Sequence, residues 1–294
     1  MQERPRIKLF EERDFGQKFS AAFSFIGREA KPLLHVLARF VGVPLLLLAL
    51  LGGLNTAFQL EVIASYPNDY GMGPMIFVIY FLSLVVFTIM VCVVAGYMKV
   101  YSSLSEPGEK VSGKAVWHVI KGKLIPVFFL NIVYFLIVIV GFIFLILPGI
   151  YLAVAMSLCH VIYIMEDTDI FSSLGRSVKL VNQEFFPSLG FIFIMALLAG
   201  IIGSVIQVPV YILTAFVGMS SAIGESGIDV PIWVTTLIVA IPTALAYLSY
   251  VLVYLGNLFL YGSLREASEA PGIMDAVNNF GKREEDNNEN IVSY

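Results

Sequence analysis

Long apolar runs separated by short polar segments form the main pattern along this chain of 294 residues. Several runs exceed the roughly 20 residues that an α-helix needs to cross a hydrocarbon core about 30 Å thick. No run shows the alternating polarity that is typical of a membrane β-strand. The pattern therefore predicts an all-α, polytopic membrane protein with six transmembrane helices, over residues 40–58, 74–97, 124–147, 150–165, 188–217 and 231–262.

Three polar segments beside the spans carry apolar residues at helical spacing and predict amphipathic helices. The first covers residues 15–37 and follows a capping-box sequence, Asp14 with Gln17. The second follows Ser112, a suitable N-cap residue, and the third covers residues 169–186. The first helix could lie at the membrane interface or pack on the rest of the protein, and the sequence leaves both interpretations open.

Composition supports a membrane protein. Hydrophobic residues make up 58% of the chain and charged residues 14%, with a mean hydropathy of +0.85. Soluble domains contain about 45–50% apolar and about 25% charged residues. The two cysteines, Cys92 and Cys159, both lie in apolar runs without metal-binding or disulfide spacing, which predicts that they are small buried side chains.

The basic residues predict the orientation of the spans. All 18 Lys and Arg residues lie on one side of the six-span pattern, in residues 1–39, 99–123, 166–187 and from 265 onward. The opposite loops contain no Lys or Arg, and their charged residues, Glu61, Asp69, Glu225 and Asp229, are all acidic. Because positive charge is retained on the cytoplasmic side, both termini are predicted to be cytoplasmic.

The order of surface helices and spans predicts an internal repeat. Each odd-numbered span follows a cytoplasmic amphipathic helix and begins near a proline, namely Pro32, Pro126 and Pro187. Proline fits the first turn of a helix because its missing N–H is not needed there. The hypothesis is three repeated units, each a surface helix plus a hairpin of two spans.

The two ends of the chain differ from the predicted six-span membrane domain, residues 15–262. Residues 1–14 are polar and charged, and we expect them to be loose. Residues 263–294 form an acidic tail that is poor in apolar residues, which predicts disorder.

Sequence signatures of enzymes are missing from the chain. It contains no zinc-protease, serine-hydrolase, Walker A or dinucleotide-binding motif, and its three histidines lack metal-ligand spacing. We therefore predict no catalytic, cofactor-binding or metal-binding residues, no cofactor and no nucleic-acid partner.

Four polar residues inside the spans are candidates for a polar cavity: Asn131, His160, Gln207 and Asn257. Intramembrane amides more often link helices by hydrogen bonds than line a site. His160 could relay a proton or, as is more usual, bond to a neighbouring helix. No Asp, Glu, Lys or Arg lies in the middle of a span, which argues against ion-coupled transport.

The stretch from residue 141 to 181 contains the structural candidates Pro148, Gly149, Glu166 and Arg176. The sequence Leu-Pro-Gly at 147–149 predicts the outer turn of a tight hairpin between spans three and four. Glu166 ends the fourth span, and Arg176 lies in the helix that follows, so the two could form an ion pair where that helix leaves the span.

The order of motifs in this stretch resembles a known family. Leu-Pro-Gly-Ile-Tyr at 147–151, Glu166 and an Arg-Ser-x-x-Leu helix starting at Arg176 are similar to the membrane domain found with some bacterial glycerophosphodiester phosphodiesterases. The resemblance covers roughly residues 110–262 and implies a six-helix architecture and a bacterial inner-membrane location. No segment is long enough to hold the phosphodiesterase catalytic domain, so that activity is not implied.

Two functions fit these observations. The preferred hypothesis is a non-enzymatic scaffold, accessory or lipid-interacting module of the bacterial inner membrane. Its partners would be the bilayer, with anionic lipids at the basic surface helices, and a protein partner or a second copy of the chain. The alternative is a transporter or channel for a small or amphiphilic solute, because prolines and glycines interrupt several spans.

Overall fold

The computed structural model describes residues 6–65, 75–104, 109–222 and 231–270. These residues form eleven α-helices and one short 3-10 turn, and no strand occurs among them. The helices are α1 (Phe15–Phe40), α2 (Gly42–Ser65), α3 (Ile76–Ser103), α4 (Gly113–Ile120), α5 (Leu124–Phe144), α6 (Ile146–Ala155), α7 (Cys159–Glu166), α8 (Ile170–Val181), α9 (Phe185–Ile206), α10 (Val208–Ala222) and α11 (Ile232–Glu269).

Six helical segments are long and apolar enough to cross a membrane. They are Gly42–Val62, Ile76–Ser103, Leu124–Phe144, Ile146–Glu166, Ile170–Ile206 and Ile232–Glu269. The prediction of an all-α protein with six candidate spans is therefore confirmed. The fifth segment joins α8 to α9 through the 3-10 turn Asn182–Glu184.

Helices α3 and α11 form the centre of the bundle. The second half of α3 is almost wholly buried, including Tyr97 and Met98, and so is the stretch of α11 from Leu255 to Leu264. Helix α11 packs along α2 and α9, and an added Cβ at Gly53 would overlap the Thr236 backbone. Large apolar side chains elsewhere face outward, as expected for a surface that contacts lipid.

Residues 6–14 are packed against the bundle, which differs from the expectation of a loose segment. Leu9 is 3% exposed, and its backbone lies so close to Gly262 that a Cβ there would overlap it. Arg13 is buried because backbone carbonyls and Glu11 accept hydrogen bonds from its guanidinium group. Burial lowers the pKa of Arg13 despite the Glu11 charge. The tail was predicted to be disordered from residue 263, but α11 continues to Glu269, and Ser263 and Leu264 are buried in it. Residues 1–5 and 271–294 lie outside the described residues.

Helix α1 begins as the sequence predicts. The capping box of Asp14 and Gln17 is present, with the Asp14 N–H donating to Gln17 Oε1 at 3.2 Å. The helix continues through Pro32 to Phe40, so Pro32 does not mark the entry of the first span.

The proline at the entry of the first span is Pro44, the third residue of α2. Pro126 and Pro187 are likewise the third residues of α5 and α9. The first turn of a helix tolerates proline because its N–H groups have no acceptor in the helix. Pro44, and not Pro32, is therefore the proline at the entry of the first span. The threefold repeat itself remains a prediction.

The turn between α5 and α6 lies at Leu145, before the predicted Leu-Pro-Gly turn. Leu145 is extended, with φ −166° and ψ 156°, and Pro148 and Gly149 already belong to the first turn of α6. A Cβ added at Gly149 would overlap the ring of Phe142. A Cβ added at Gly141 would lie 3.1 Å from the Cα of Gly149. The glycines therefore allow the two antiparallel helices to pack closely, while the turn itself needs neither.

The fourth span is interrupted between α6 and α7, at residues 156–158, although the sequence predicts an unbroken helix there. Ser177 of α8 bonds to both sides of the interruption. Its hydroxyl donates to Ala155 O at 2.8 Å and accepts from Leu158 N–H at 3.2 Å. The buried face of α8 therefore includes Ser173 and Ser177, whereas Phe171, an apolar residue of the predicted amphipathic helix, is 76% exposed.

Two further prolines, Pro209 and Pro242, lie within the fifth and sixth predicted spans. The fifth span is interrupted two positions before Pro209, at the turn residue Gln207. Helix α11 continues through Pro242 without interruption. With 38 residues and a rise of about 1.5 Å per residue, α11 is about 57 Å long, so it extends beyond a hydrocarbon core of about 30 Å.

Candidate functional site

A cavity of about 630 Å³ lies between α3, α9, α10 and α11, with Phe135 of α5 at its edge. We call it the inter-helix cavity. It opens sideways, since the lining residues Tyr80, Tyr211 and Tyr250 are more than half exposed. Its lining residues are Tyr80, Ser83, Leu84, Phe87, Met90, Phe135, Ala199, Gly200, Gly203, Ser204, Gln207, Tyr211, Ala246, Tyr247, Ser249 and Tyr250.

The polarity of the inter-helix cavity changes from one end to the other. Along α3, Tyr80 and Ser83 come first and Phe87 and Met90 follow one to two turns later. Helix α9 runs the opposite way, and its lining changes from Ala199 to the polar residues 204 and 207. The polar end thus lies toward the start of α3, and the apolar end lies toward the middle of the bundle.

Gln207 lies at the polar end, in the interruption between α9 and α10. Its Nε2 donates to Thr243 Oγ1 at a long 3.4 Å, and its buried Oε1 has no hydrogen-bond partner among the described residues. Pro209 lacks the N–H that would continue the helix onto Val205 O, which accounts for the interruption here. The interruption leaves the Gln207 side chain lining the cavity with a free acceptor.

Several hydroxyl groups of the lining lack an intramolecular partner. The Tyr247 hydroxyl donates to Ser83 Oγ at 3.0 Å, and Ser249 bonds to its own helix. The hydroxyls of Tyr80, Ser204, Tyr211 and Tyr250 make no hydrogen bond to any other part of the chain that the structure describes. These groups can hydrogen-bond to a molecule in the cavity or at its opening.

Two glycines of α9 line the cavity wall, and the space beside them differs. A Cβ built at Gly200 meets no atom within 4 Å, so a side chain there would project into open space. At Gly203 a Cβ would lie 3.3 Å from Ser249 Oγ, which is close contact. Gly200 is therefore a position where the cavity can be filled without disturbing its walls.

Of the four polar residues that the sequence singled out, only Gln207 lines the cavity. Asn131 is fully buried and donates from Nδ2 to Thr88 Oγ1 at 2.8 Å. Asn257 Nδ2 donates to Ser157 O at 3.4 Å, in the interruption of the fourth span. The described cavities therefore do not bring the four residues together, and Asn131 and Asn257 each link helices.

His160 lies away from the cavity. Its Nδ1 is 3.4 Å from Cys159 Sγ, and its ring packs edge-on against Tyr134. Its Nε2 has no partner among the described residues.

The tyrosines and serines of the inter-helix cavity were not predicted from the sequence, because each of these residues is unremarkable alone. Their shared signal is spacing, as in Tyr80 with Ser83 and Tyr247 with Tyr250.

A second cluster of polar residues joins helix ends on the side opposite the polar end of the cavity. Asp167, which ends α7 in the left-handed conformation, accepts hydrogen bonds from Lys99 of α3 and Lys123 before α5. Both lysines also donate to Ile164 O, at 2.9 and 2.8 Å. This cluster ties the ends of three helices together.

The charges of this cluster shift each other's pKa. Burial alone would raise the pKa of Asp167, but hydrogen bonds from Lys123 and Lys99 outweigh it and hold the pKa below its usual value. Burial lowers the pKa of Lys123, and the Asp167 carboxylate only partly offsets it. Because Asp167 is mostly exposed, the cluster stabilises the helix ends modestly.

The predicted pair of Glu166 and Arg176 is confirmed as an ion pair. Arg176 also binds Glu269 at the end of α11, at 2.7 Å, and Glu166 Oε1 accepts from the Tyr261 hydroxyl at 2.8 Å. The Glu166 side chain is only 10% exposed, so this network fixes α8 to α7 and α11. None of the described cavities adjoins this network.

Among the residues that the structure describes, no group of three His, Cys, Asp or Glu side chains could hold a metal ion. Comparison of the chain with protein families, with characterised proteins and with solved structures found no match. The resemblance to the membrane domain of glycerophosphodiester phosphodiesterases therefore remains a prediction from the sequence.

Proposed function

We propose that this chain is a non-enzymatic, lipid-interacting integral membrane protein that holds an amphiphilic molecule in the inter-helix cavity. The observation that carries the proposal is the cavity itself, which is polar at one end, apolar at the other and open sideways. Its volume of about 630 Å³ falls within the range of small-molecule sites, roughly 300–1,000 Å³.

The chemistry of the lining supports binding and not catalysis. A hydroxyl nucleophile needs a base within hydrogen-bond reach. The lining contains serine and tyrosine hydroxyls but no His, Asp, Glu, Lys or Arg among the described residues. Such a lining can bind and orient a ligand, and it holds no group suited to take a proton from the ligand.

The proposal places the protein in the bacterial inner membrane with both termini in the cytoplasm. The one-sided distribution of Lys and Arg supports this orientation. The ion pairs of Asp167 and Glu166 join the ends of α3, α7 and α11 and the start of α5, so these helix ends lie on the same side. Anionic headgroups on that side, and a protein partner or second copy, remain proposed partners.

The Gly200→Leu substitution tests the proposal by filling the cavity. Purified wild-type protein and variant would be reconstituted in lipid nanodiscs, and the retained lipid measured by native mass spectrometry. We expect the variant to lose the retained amphiphile, because its side chain occupies the open space beside Gly200. Gly52→Leu is the matched control, since a Cβ at Gly52 also meets no atom and Gly52 lies outside the cavity. Equal retention by all three proteins would refute the proposal.

Transport of an amphiphile is the second candidate function, and the interruption of the fifth span at Gln207 favours it. Interrupted helices line the substrate sites of many transporters. A transporter would move a fluorescent lipid between the leaflets of proteoliposomes, and Gly200→Leu would stop the movement. Retention without movement would leave binding as the function.

A further inference from the structure

From the chemistry of its polar end, we infer that the inter-helix cavity selects amphiphiles with an uncharged polar end that donates a hydrogen bond, such as a hydroxyl, and that Gln207 Oε1 accepts it. This inference rests on the proposed function, because it names the class of molecule that the same cavity would hold.

The first support is the unpartnered acceptor. Gln207 Oε1 is buried and bonds to no described residue, while the amide nitrogen of the same side chain is directed to Thr243 Oγ1. A buried acceptor without a donor is unfavourable, so a ligand that supplies the donor removes this penalty. An apolar ligand, or one that only accepts hydrogen bonds, does not.

The second support is the absence of charge in the lining. Sixteen described residues line the cavity, and none of them is Asp, Glu, Lys, Arg or His. The ion pairs of Asp167 and Glu166 lie beyond the apolar end of the cavity. A carboxylate or phosphate would enter the cavity without a counter-charge, which is strongly unfavourable in a low-dielectric site.

The third support is the order of the lining groups. The free hydroxyls of Ser204 and Tyr211 lie within one turn of Gln207 along the chain, so they surround the same polar end. Phe87 and Met90 form the far end, where they suit a hydrocarbon chain. A ligand in this cavity therefore has its polar group near Gln207 and its chain toward the middle of the bundle.

A matched set of three ligands tests the inference on the full chain in detergent. The ligands are a long-chain alcohol, its methyl ether and the fatty acid of equal chain length at a pH where it is ionised. Their affinities would be measured by displacement of a fluorescent long-chain alcohol. We expect the alcohol to bind about fivefold to tenfold more tightly than the ether, the effect of one hydrogen bond. The fatty acid is expected to bind most weakly.

The Gln207→Met substitution identifies the acceptor. It keeps the size of the side chain and removes the acceptor, so the alcohol should lose its advantage and bind like the ether. Gln59→Met is the matched control, because Gln59 is a partly buried amide of α2 outside the cavity. The control should keep the wild-type preference.

Different results would overturn different claims. If the alcohol and ether bind equally to wild type, or Gln207→Met keeps the preference, the inference about the polar end is wrong. If the fatty acid binds as tightly as the alcohol, the exclusion of charge is wrong. In both cases the proposed function survives as long as Gly200→Leu abolishes binding. Binding that Gly200→Leu leaves unchanged would refute the cavity itself as the site.

Discussion

The hydroxyl group of Ser177 satisfies two backbone groups that the interruption of the fourth span would otherwise leave unpaired. It donates to Ala155 O and accepts from Leu158 N–H, and the side chain is fully buried. Backbone groups without partners are costly where water is excluded. One side chain on α8 therefore allows two helices of another span to end in the interior of the protein.

The Ser177→Ala substitution should destabilise the protein by about 1–3 kcal/mol, because it removes both partners of the interrupted backbone. The midpoint of thermal unfolding in detergent would measure the effect. Ser172→Ala is the matched control on the same helix, since Ser172 is exposed. An equal, small change in both variants would mean that other groups or water satisfy the interruption.

At the scale of helices, the sequence predicts the number and order of the spans because apolar runs of sufficient length have few other interpretations. It places interruptions less well. Pro148 and Pro209 do mark helix starts, but the interruptions precede them, at Leu145 and Gln207. Proline is tolerated in a first turn, so a proline signals that a helix has recently begun.

The interruption at residues 156–158 could not be predicted from local sequence. Neither proline nor glycine occurs there, and the stabilising group, Ser177, lies about twenty residues later. The ion pair of Glu166 and Arg176 was predictable because both are charged at the end of an apolar run. Most of the cavity was not predictable, because its lining residues come one or a few at a time from four spans, and only the packing of the helices brings them together.

Asp167 controls how the ends of α3, α5 and α7 are held together, and its lowered pKa makes that control depend on pH. A carboxyl group whose pKa is lower in the folded state stabilises the fold above its unfolded pKa of about 3.9. That contribution is lost as the pH falls through the folded pKa. The charge of Lys123 does not change in this acidic range.

We therefore expect Asp167→Asn to be less stable than wild type near neutral pH, with the difference disappearing as the pH falls below about 4. Asparagine keeps the size of the side chain and tolerates the left-handed backbone of this position. Thermal unfolding in detergent at a series of pH values measures the difference. Glu109→Gln is the control, because Glu109 is exposed and its side chain forms no ion pair with a described residue. A difference that persists in acid, where the carboxyl group is protonated, would mean that the charge of Asp167 does not cause its stabilising effect.

At the scale of the whole molecule, the ion-paired side chains and the uncharged polar side chains of the cavity lie at opposite ends of the helices. Ion pairs join α3, α7, α8 and α11 at one end, whereas the polar end of the inter-helix cavity lies toward the start of α3 and contains no charged lining residue. Under the proposed orientation, the charged end faces the cytoplasm and the cavity opens within the outer half of the bilayer.

Reporter fusions to the two termini test this orientation in bacterial cells. Green fluorescent protein at either terminus should fluoresce, and alkaline phosphatase at either terminus should be inactive, because it needs the oxidising periplasm for its disulfides. Phosphatase fused into the segment between α2 and α3 should be active. The opposite result at the termini would reverse the orientation and place the cavity opening in the inner half.

The packing of residues 6–13 against α11 has a consequence for the order of assembly. Leu9 contacts Gly262, and the Arg13 N–H donates to Ser263 Oγ, 250 positions later in the chain, at 3.1 Å. A ribosome makes Leu9 long before it makes Gly262. Arg6 and Ile7 can already bond to Leu104 and Tyr101 at the end of the second span, whereas the contacts with Gly262 and Ser263 form only when the sixth is in place, which completes the docking of the segment. Its complete docking distinguishes a fully inserted bundle from every shorter intermediate.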